Sequence, residues 1–397
     1  MLEIVIFFFL GILVGTLTGL IPGIHINLVA LALITTFPYL LEIQIASAII
    51  FIASMAITHT FVDFIPSIFL GAPEEDTALS ILPGHEFLIK GYGHEAVQLT
   101  IVGSLISIAL LIIILPTFFF LIPIAYPFIE KMMAFFLIWI SIFLIIGEKN
   151  SKIESLIIFL LSGFLGMTSI NLDINEPLLP LLSGLFGSST LIYSMRKKTK
   201  VPEQIIEKID FQKKDLVKPA ITTALVSPIC SFFPGLGSSQ AAIIGSQISG
   251  RLSKEQFLIL LGSINTLVMS VSFTTLLLID KSRTGAANAI QELTNLTTNT
   301  LLIILATIFL ASIIASFITF KFSKLTARNI HKIDYSKISL TIIIFLVSII
   351  TYLSGIFGLI VFITSTILGL TCIEFHVRKG FLMGALLIPT ILFYLPF

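Results

Sequence analysis

The stretch GTLTGLIPGIHINLVALALI, Gly15 to Ile34, is almost wholly apolar, yet Pro22-Gly23 interrupts its middle and His25 and Asn27 follow. A second stretch, VSPICSFFPGLGSSQAAIIG, Val226 to Gly245, repeats the design with Pro234-Gly235, then Gly237, Ser238, Ser239 and Gln240. Proline removes a backbone donor and glycine loosens the helix, so a helix restarting after either break presents unsatisfied N–H groups. Those groups carry the positive end of a helix dipole and favour an anion. Irregular backbone at membrane depth is tolerated where it is buried in protein or lines a cavity. Two such breaks approaching from opposite sides, with these polar side chains, make a carboxylate cradle. Each is also consistent with a tight turn between spanning helices, whose tip would lie at the surface.

Composition sets the medium. The chain has 397 residues, 56% of them hydrophobic and 11% charged, whereas a soluble domain carries about 25% charged residues. Apolar runs of roughly 20 residues recur from end to end, the signature of transmembrane helices rather than of an alternating β-barrel. The N-terminal MLEIVIFFFLGILVG reads as a first membrane helix and not as a removable signal peptide. A net charge of +1 leaves no nucleic-acid footprint, and Cys230 and Cys372 suggest no disulfide framework.

Apolar runs and breakers divide the chain into 2–20, 24–41, 44–70, 77–90, 97–122, 127–147, 153–167 and 177–194, then 217–233, 236–250, 255–279, 284–295, 298–322, 337–353, 357–372 and 380–396. The same order of lengths and breaks occurs on both sides of the charged stretch 196–218. Cytoplasmic loops are enriched in Lys and Arg, which places that stretch inside. Walking outward from it, Lys149 and Lys152, the group Lys321, Lys324, Arg328, Lys332 and Lys337, and the pair Arg378 and Lys379 should also lie inside. Their counterparts at 122–126, 353–356 and 167–177 are nearly free of cations, so corresponding loops face opposite sides. The expected fold is an all-α polytopic membrane protein of two inverted-topology repeats, each with a Pro-Gly broken helical hairpin and about five full transmembrane helices. The expected units are a first repeat at 1–194, a cytoplasmic linker at 195–215 and a second repeat at 216–397, with both termini extracytoplasmic.

An ionisable residue within a span is a functional candidate by default. His59 and Asp63 share a helical face in the first half, and Asp63 suits a coupling cation or proton, or a pair with His59. In the second half Asn265 and Thr266 fall near the positions equivalent to His59, with Ser270 opposite Asp63. Glu74, Glu75 and Asp76 could act as gating residues or in charge pairs, or simply suit the dipole of the helix start that they precede. Lys281 and Arg283, on the expected outer side, could attract an anion, pair with an acid or anchor the interface. Gly11, Gly15, Gly19 and Gly23 form a small-residue stripe that permits close helix packing. His85-Glu86 and His94-Glu95 are not followed by a histidine at the zincin spacing, so neither catalytic residues nor a protein-bound metal is expected.

GLIPGIHIN at the end of the Gly-rich first helix, LGAPEEDTALSILPGHEFLIKGYGHEA at 70–96, and FFPGLGSSQAAI resemble the large membrane subunit of tripartite tricarboxylate transporters. The matching elements are Pro73-Glu74, Thr77-Ala78-Leu79, Lys90-Gly91 and the second Pro-Gly element. The resemblance implies a small membrane subunit and an extracytoplasmic binding protein as partners. It also fits a multi-pass protein of the cell membrane that carries a small anionic substrate, with no cofactor beyond a coupling Na+ or H+. A homo-oligomer in membrane lipid stays open. So does a lipid-phosphate translocase that holds a polyprenyl phosphate head group between the two hairpins.

Overall fold

The computed structural model of the protein describes residues 2–21, 44–71, 77, 80–146, 148, 152–174, 177–196, 201–206, 214–231, 237–250, 252–281, 284–332 and 334–395. Pro22, Gly23, His25, Asn27, Glu74, Glu75, Asp76, Pro234, Gly235 and Arg283, and the side chain of Gln240, lie outside the described residues. The regular elements are α1 (Leu2–Leu20), α2 (Ile45–Val62), α3 (Phe64–Leu70), α4 (Ile81–Ile89), α5 (Gly93–Ile146), α6 (Lys152–Asn171) and α7 (Leu178–Leu182). After a π-helical turn (Ser183–Ser188) come α8 (Ser189–Arg196), α9 (Lys214–Ser231), α10 (Ser238–Ile248), α11 (Lys254–Ile279) and α12 (Gly285–Leu293). The chain closes with α13 (Thr298–Ile330), α14 (Tyr335–Glu374) and α15 (Gly384–Tyr394). In hydrocarbon every backbone polar group must be paired within the protein, which makes helices the natural state of these apolar runs. Among the described residues, seven helical spans are long and apolar enough to cross a bilayer.

Two of those spans form the centre. The most apolar window of Ile45–Leu70 is 89% buried and that of α11 is 94% buried, against 28–39% for the other five. The outer spans turn Ile113, Phe120, Ile124, Trp139 and Phe164 outward, an apolar surface that only a lipid environment makes favourable. At the start of α11 a capping box holds the helix end: Gln256 N–H donates to Ser253 Oγ and Ser253 N–H to Gln256 Oε1, both at 3.2 Å.

The glycine stripe explains how α1 reaches this centre. A Cβ on Gly11 would lie 2.1 Å from Ser54 Oγ, on Gly15 2.4 Å from the Met55 carbonyl oxygen, and on Gly19 2.8 Å from Val62 Cβ. The two helices therefore run parallel and in register, almost backbone to backbone. Gly15→Leu should force them apart and lower stability by about 2–3 kcal/mol, the upper part of the usual overpacking cost. Thermal unfolding in detergent checks it, and an unchanged midpoint would show that the contact carries no packing load. The central crossing of the two halves has the same character, with Gly103 against Ile259 and Gly262 against Thr100.

Two long helices bend back on themselves. A straight helix of 54 residues such as α5 would be about 80 Å long. Instead, Glu148, just past its end, pairs with Arg378 at 2.5 Å, and Lys379 lies close enough to His85, just ahead of its start, to act on that imidazole. Both ends of α5 thus sit at one end of the molecule. The expected loop at 122–126 is absent; helical geometry runs through a turn that contains Pro116, Pro123 and Pro127. Proline removes i→i−4 bonds and bends a helix without ending it when neighbours hold the two arms. In α14 the reversal is sharp. Gly355 adopts φ 65° and ψ −161°, and a Cβ on Gly358 would lie 3.6 Å from Ile350 Cγ2, although eight residues of straight helix span about 12 Å.

The end that gathers both termini of α5 also gathers the charges. Glu86 pairs with Lys90 and Lys254, Glu148 with Arg378, and Arg196 with Glu374. Hydrogen bonds from Lys254 and then from Lys90 hold the Glu86 carboxyl below the usual carboxylate range. Gln204 of the central stretch receives the Gly93 N–H at 2.8 Å and donates to the Leu88 carbonyl at 3.1 Å. The central stretch and the Arg378–Lys379 pair thus meet here, and the 321–337 stretch joins them where Ser323 Oγ lies 2.9 Å from His94 Nδ1, next to the start of α5. At the opposite end Lys281 pairs with Glu130 at 3.2 Å, and Tyr126 O–H donates to the same carboxylate oxygen.

Candidate functional site

The centre of the bundle is polar. Asp63 sits at the joint between α2 and α3, where Pro66 supplies no N–H to the preceding turn. It is buried, as are His59, Asn265, Thr266 and Ser238. Asn265 Nδ2 donates to Asp63 Oδ2 at 3.1 Å and approaches the Thr60 carbonyl at 3.4 Å. A carboxylate accepts and does not donate, so the amide must turn its NH2 toward Asp63 and its oxygen the other way. That oxygen accepts from Ser238 Oγ at 3.3 Å. Thr60 and Thr266 hydroxyls meet at 3.3 Å, and Thr18 Oγ1 lies 2.9 Å from His59 Nδ1. One hydrogen-bonded chain thus runs from α2 through α11 to the first residue of α10.

Depth follows from these contacts. Asn265 lies near the middle of the 26-residue α11, whereas α10 has only 11 residues, about 16 Å or half a hydrocarbon core. Helix α10 begins beside Asn265 and finishes against the middle of α9: Ser249 Oγ lies 2.8 Å from Thr222 Oγ1, and Gly245 abuts Thr222. Gln256 Nε2 reaches Asp215 at 3.5 Å, which sets the starts of α9 and α11 level. Gly237 and Ser238 thus lie beside the middle of α11, while the starts of α9 and α11 lie together. In the first half, α1 ends with Gly19 against Val62 and Asp63, so Ile21 finishes level with Asp63. The first intrahelical bond of α10 runs from Ala241 N–H to the Gly237 carbonyl at 3.1 Å. The N–H groups ahead of it carry the positive dipole end into this polar centre.

The structure brings His59, Asp63, Asn265, Thr266 and Ser238 together with Thr18 and Thr60, and it buries Ser239 beside them. Ser270, aligned with Asp63 by the repeat pattern, donates its hydroxyl to the Thr266 carbonyl within its own helix at 2.7 Å. Lys281 is remote, in its pair with Glu130. Thr18 and Thr60 were missed by sequence reasoning. The available signal was the hydroxyl flanking of histidine in Thr58-His59-Thr60, and a second hydroxyl on the glycine-lined face of α1.

A helical membrane protein that buries a carboxylate, an imidazole, an amide and the start of a short helix at its centre has costly polar groups of the kind that mark functional sites in membranes. Residues 5–384 match the tripartite tricarboxylate transporter TctA family, and the chain belongs to that family. This is a transporter family and not an enzyme family. The chain is 33% identical to "Uncharacterized protein MJ1079" of Methanocaldococcus jannaschii over 403 aligned residues, covering 98% of each chain. No solved structure matches it.

Proposed function

We propose that the protein is the large membrane subunit of a secondary active transporter for an organic anion, a di- or tricarboxylate, driven by a Na+ or H+ gradient. The observation that carries this reading is the chain Ser238–Asn265–Asp63, which joins the N-terminus of a half-length helix to an intramembrane carboxylate. The helix start attracts the substrate carboxylate, and Asp63 serves the coupling cation or proton, so the two ligands bind within one network and sense each other. Uptake into proteoliposomes, with a panel of carboxylates under imposed Na+ or H+ gradients, tests it. Accumulation of one carboxylate under one gradient is expected; accumulation of none under either would contradict it. A polyprenyl phosphate translocase would need a site open sideways to lipid, whereas Asp63, Asn265 and Ser238 are enclosed by protein.

The same reading makes the two halves inverted repeats, 1–194 and 216–397, with re-entrant hairpins at both Pro-Gly breaks. Support comes from direction: the chain reaches the charged end as α3 gives way to α4, while α11 starts there at Lys254 beside Glu86. The gathering of basic stretches at that end supports a cytoplasmic face in the cell membrane. Alternating access then moves one set of elements against the other around the central network, with a small membrane subunit and an extracytoplasmic binding protein as partners. Glu203, whose carbonyl abuts Gly91, would lie inside, and Asp173, beyond the far end of α6, outside. In intact cells an impermeant thiol reagent should label Asp173→Cys and spare Glu203→Cys. The reverse pattern would overturn the orientation.

A further inference from the structure

One buried cation has no counter-charge among the described residues. Lys379, in the 3-10 turn Lys379–Met383 ahead of α15, is only 7% exposed. Its ammonium has three donors, and among the described residues its hydrogen-bond partner is a neutral hydroxyl, Thr190 Oγ1. The adjacent Arg378 takes Glu148, and no described carboxylate pairs with Lys379. An unpaired buried ammonium is costly, which makes a site of this kind a natural receiver for an anion.

Its surroundings are arranged for that. Thr190 follows the π-helical turn Ser183–Ser188 and is held by the Phe186 carbonyl at 2.5 Å; such turns recur at functional sites. His85, from the first half, has its pKa lowered to about 4, by burial first and by Lys379 second, and so stays neutral rather than adding charge. Gly380 faces Ile243 of α10, five residues or about 7–8 Å along the helix from Ser238. Lys379 therefore sits beside the half-length helix, on the way from the central network to the charged end.

We infer that Lys379, with Thr190, forms a second station for the transported anion, holding its carboxylate between the central site and the charged end. This rests on the transporter reading above and adds a second step to it. An anion released from the helix N-terminus would be passed to a fixed positive charge instead of facing apolar walls, which lowers the barrier to exit.

The test labels lysines of the reconstituted full chain with pyridoxal 5′-phosphate and borohydride, from both faces, and reads the Lys379 peptide by mass spectrometry. Acetate, succinate and citrate are the competing carboxylates, and NaCl of equal ionic strength is the control. Lys379→Arg, judged folded by gel filtration, confirms the assignment of the peptide. Labelling of Lys379 is expected, slowed about tenfold by a carboxylate at roughly ten times its dissociation constant. Absence of labelling, or equal protection by NaCl, would overturn the station and leave Lys379 as an anchor for Thr190. Uptake by Asn265→Ala, taken from the fraction that gel filtration shows to be folded, separates the two ideas. If that variant loses uptake while wild-type Lys379 goes unprotected, the station alone fails. If Asn265→Ala transports normally while carboxylates still protect Lys379, the central site fails and the lysine site stands.

Discussion

Asp63→Asn is expected to abolish gradient-driven accumulation while leaving the protein folded. The substitution is isosteric, and the new amide oxygen still accepts from Asn265 Nδ2, the bond seen at 3.1 Å. Losing a buried charge offsets the loss of a charge-assisted bond, so stability should change by about 1 kcal/mol or less. Coupling has no such compensation. A neutral amide neither takes up a proton near neutral pH nor supplies the negative charge that would balance a bound sodium ion. Substrate exchange across equal concentrations should persist, because the helix start at Ser238 is untouched, while concentrative uptake disappears. Proteoliposomes with and without a gradient report both quantities, and normal accumulation by the variant would make Asp63 a structural residue.

Asn265→Leu should do the opposite and injure the fold as well as transport. It deletes the donor to Asp63, the approach to the Thr60 carbonyl and the acceptor for Ser238 in one step. A buried carboxylate left without that amide costs about 3 kcal/mol, beyond the ordinary loss of a neutral hydrogen bond. Combining Asn265→Leu with Asp63→Asn should recover part of the loss, because the charge that made the vacancy expensive is gone. A coupling energy of about 1–2 kcal/mol is expected from the thermal unfolding of the four proteins in detergent. Strict additivity would mean that the two side chains do not depend on each other.

Much of this was legible in the sequence, for physical reasons. A spanning helix needs a long apolar run, so Leu2–Leu20, Ile45–Leu70 and Lys254–Ile279 announce themselves. Polar residues inside such runs are expensive, and for that reason His59, Asp63, Asn265, Thr266 and Ser238 were conspicuous before any of them was placed. Their pairing was less legible. Matching the halves by pattern aligns Ser270 with Asp63 but does not say which side chains meet in space; the crossing of α2 and α11 presents Asn265 to Asp63. On a helix each residue turns the side chain by about 100°, so only the packed register decides which face is presented. The prolines at 116, 123 and 127 promised a loop and delivered a bend, because the decision rests with neighbours that clamp the two arms. Lys379 was hidden by its company: beside Arg378 it reads as half of a basic loop, and only packing shows that one cation faces Glu148 and the other is buried.

The central claim is that the start of α10 opens into a water-filled site that binds the transported anion at mid-membrane. The most direct test places a single cysteine there, as Ser238→Cys in a chain with Cys230 and Cys372 replaced by alanine. The reconstituted protein is then treated with a small water-soluble thiol reagent. The account predicts that the introduced thiol reacts, and that the carboxylate accumulated by the wild type protects it in a saturable manner while NaCl does not. A thiol that stays unreactive, or that reacts equally with and without that carboxylate, would contradict it.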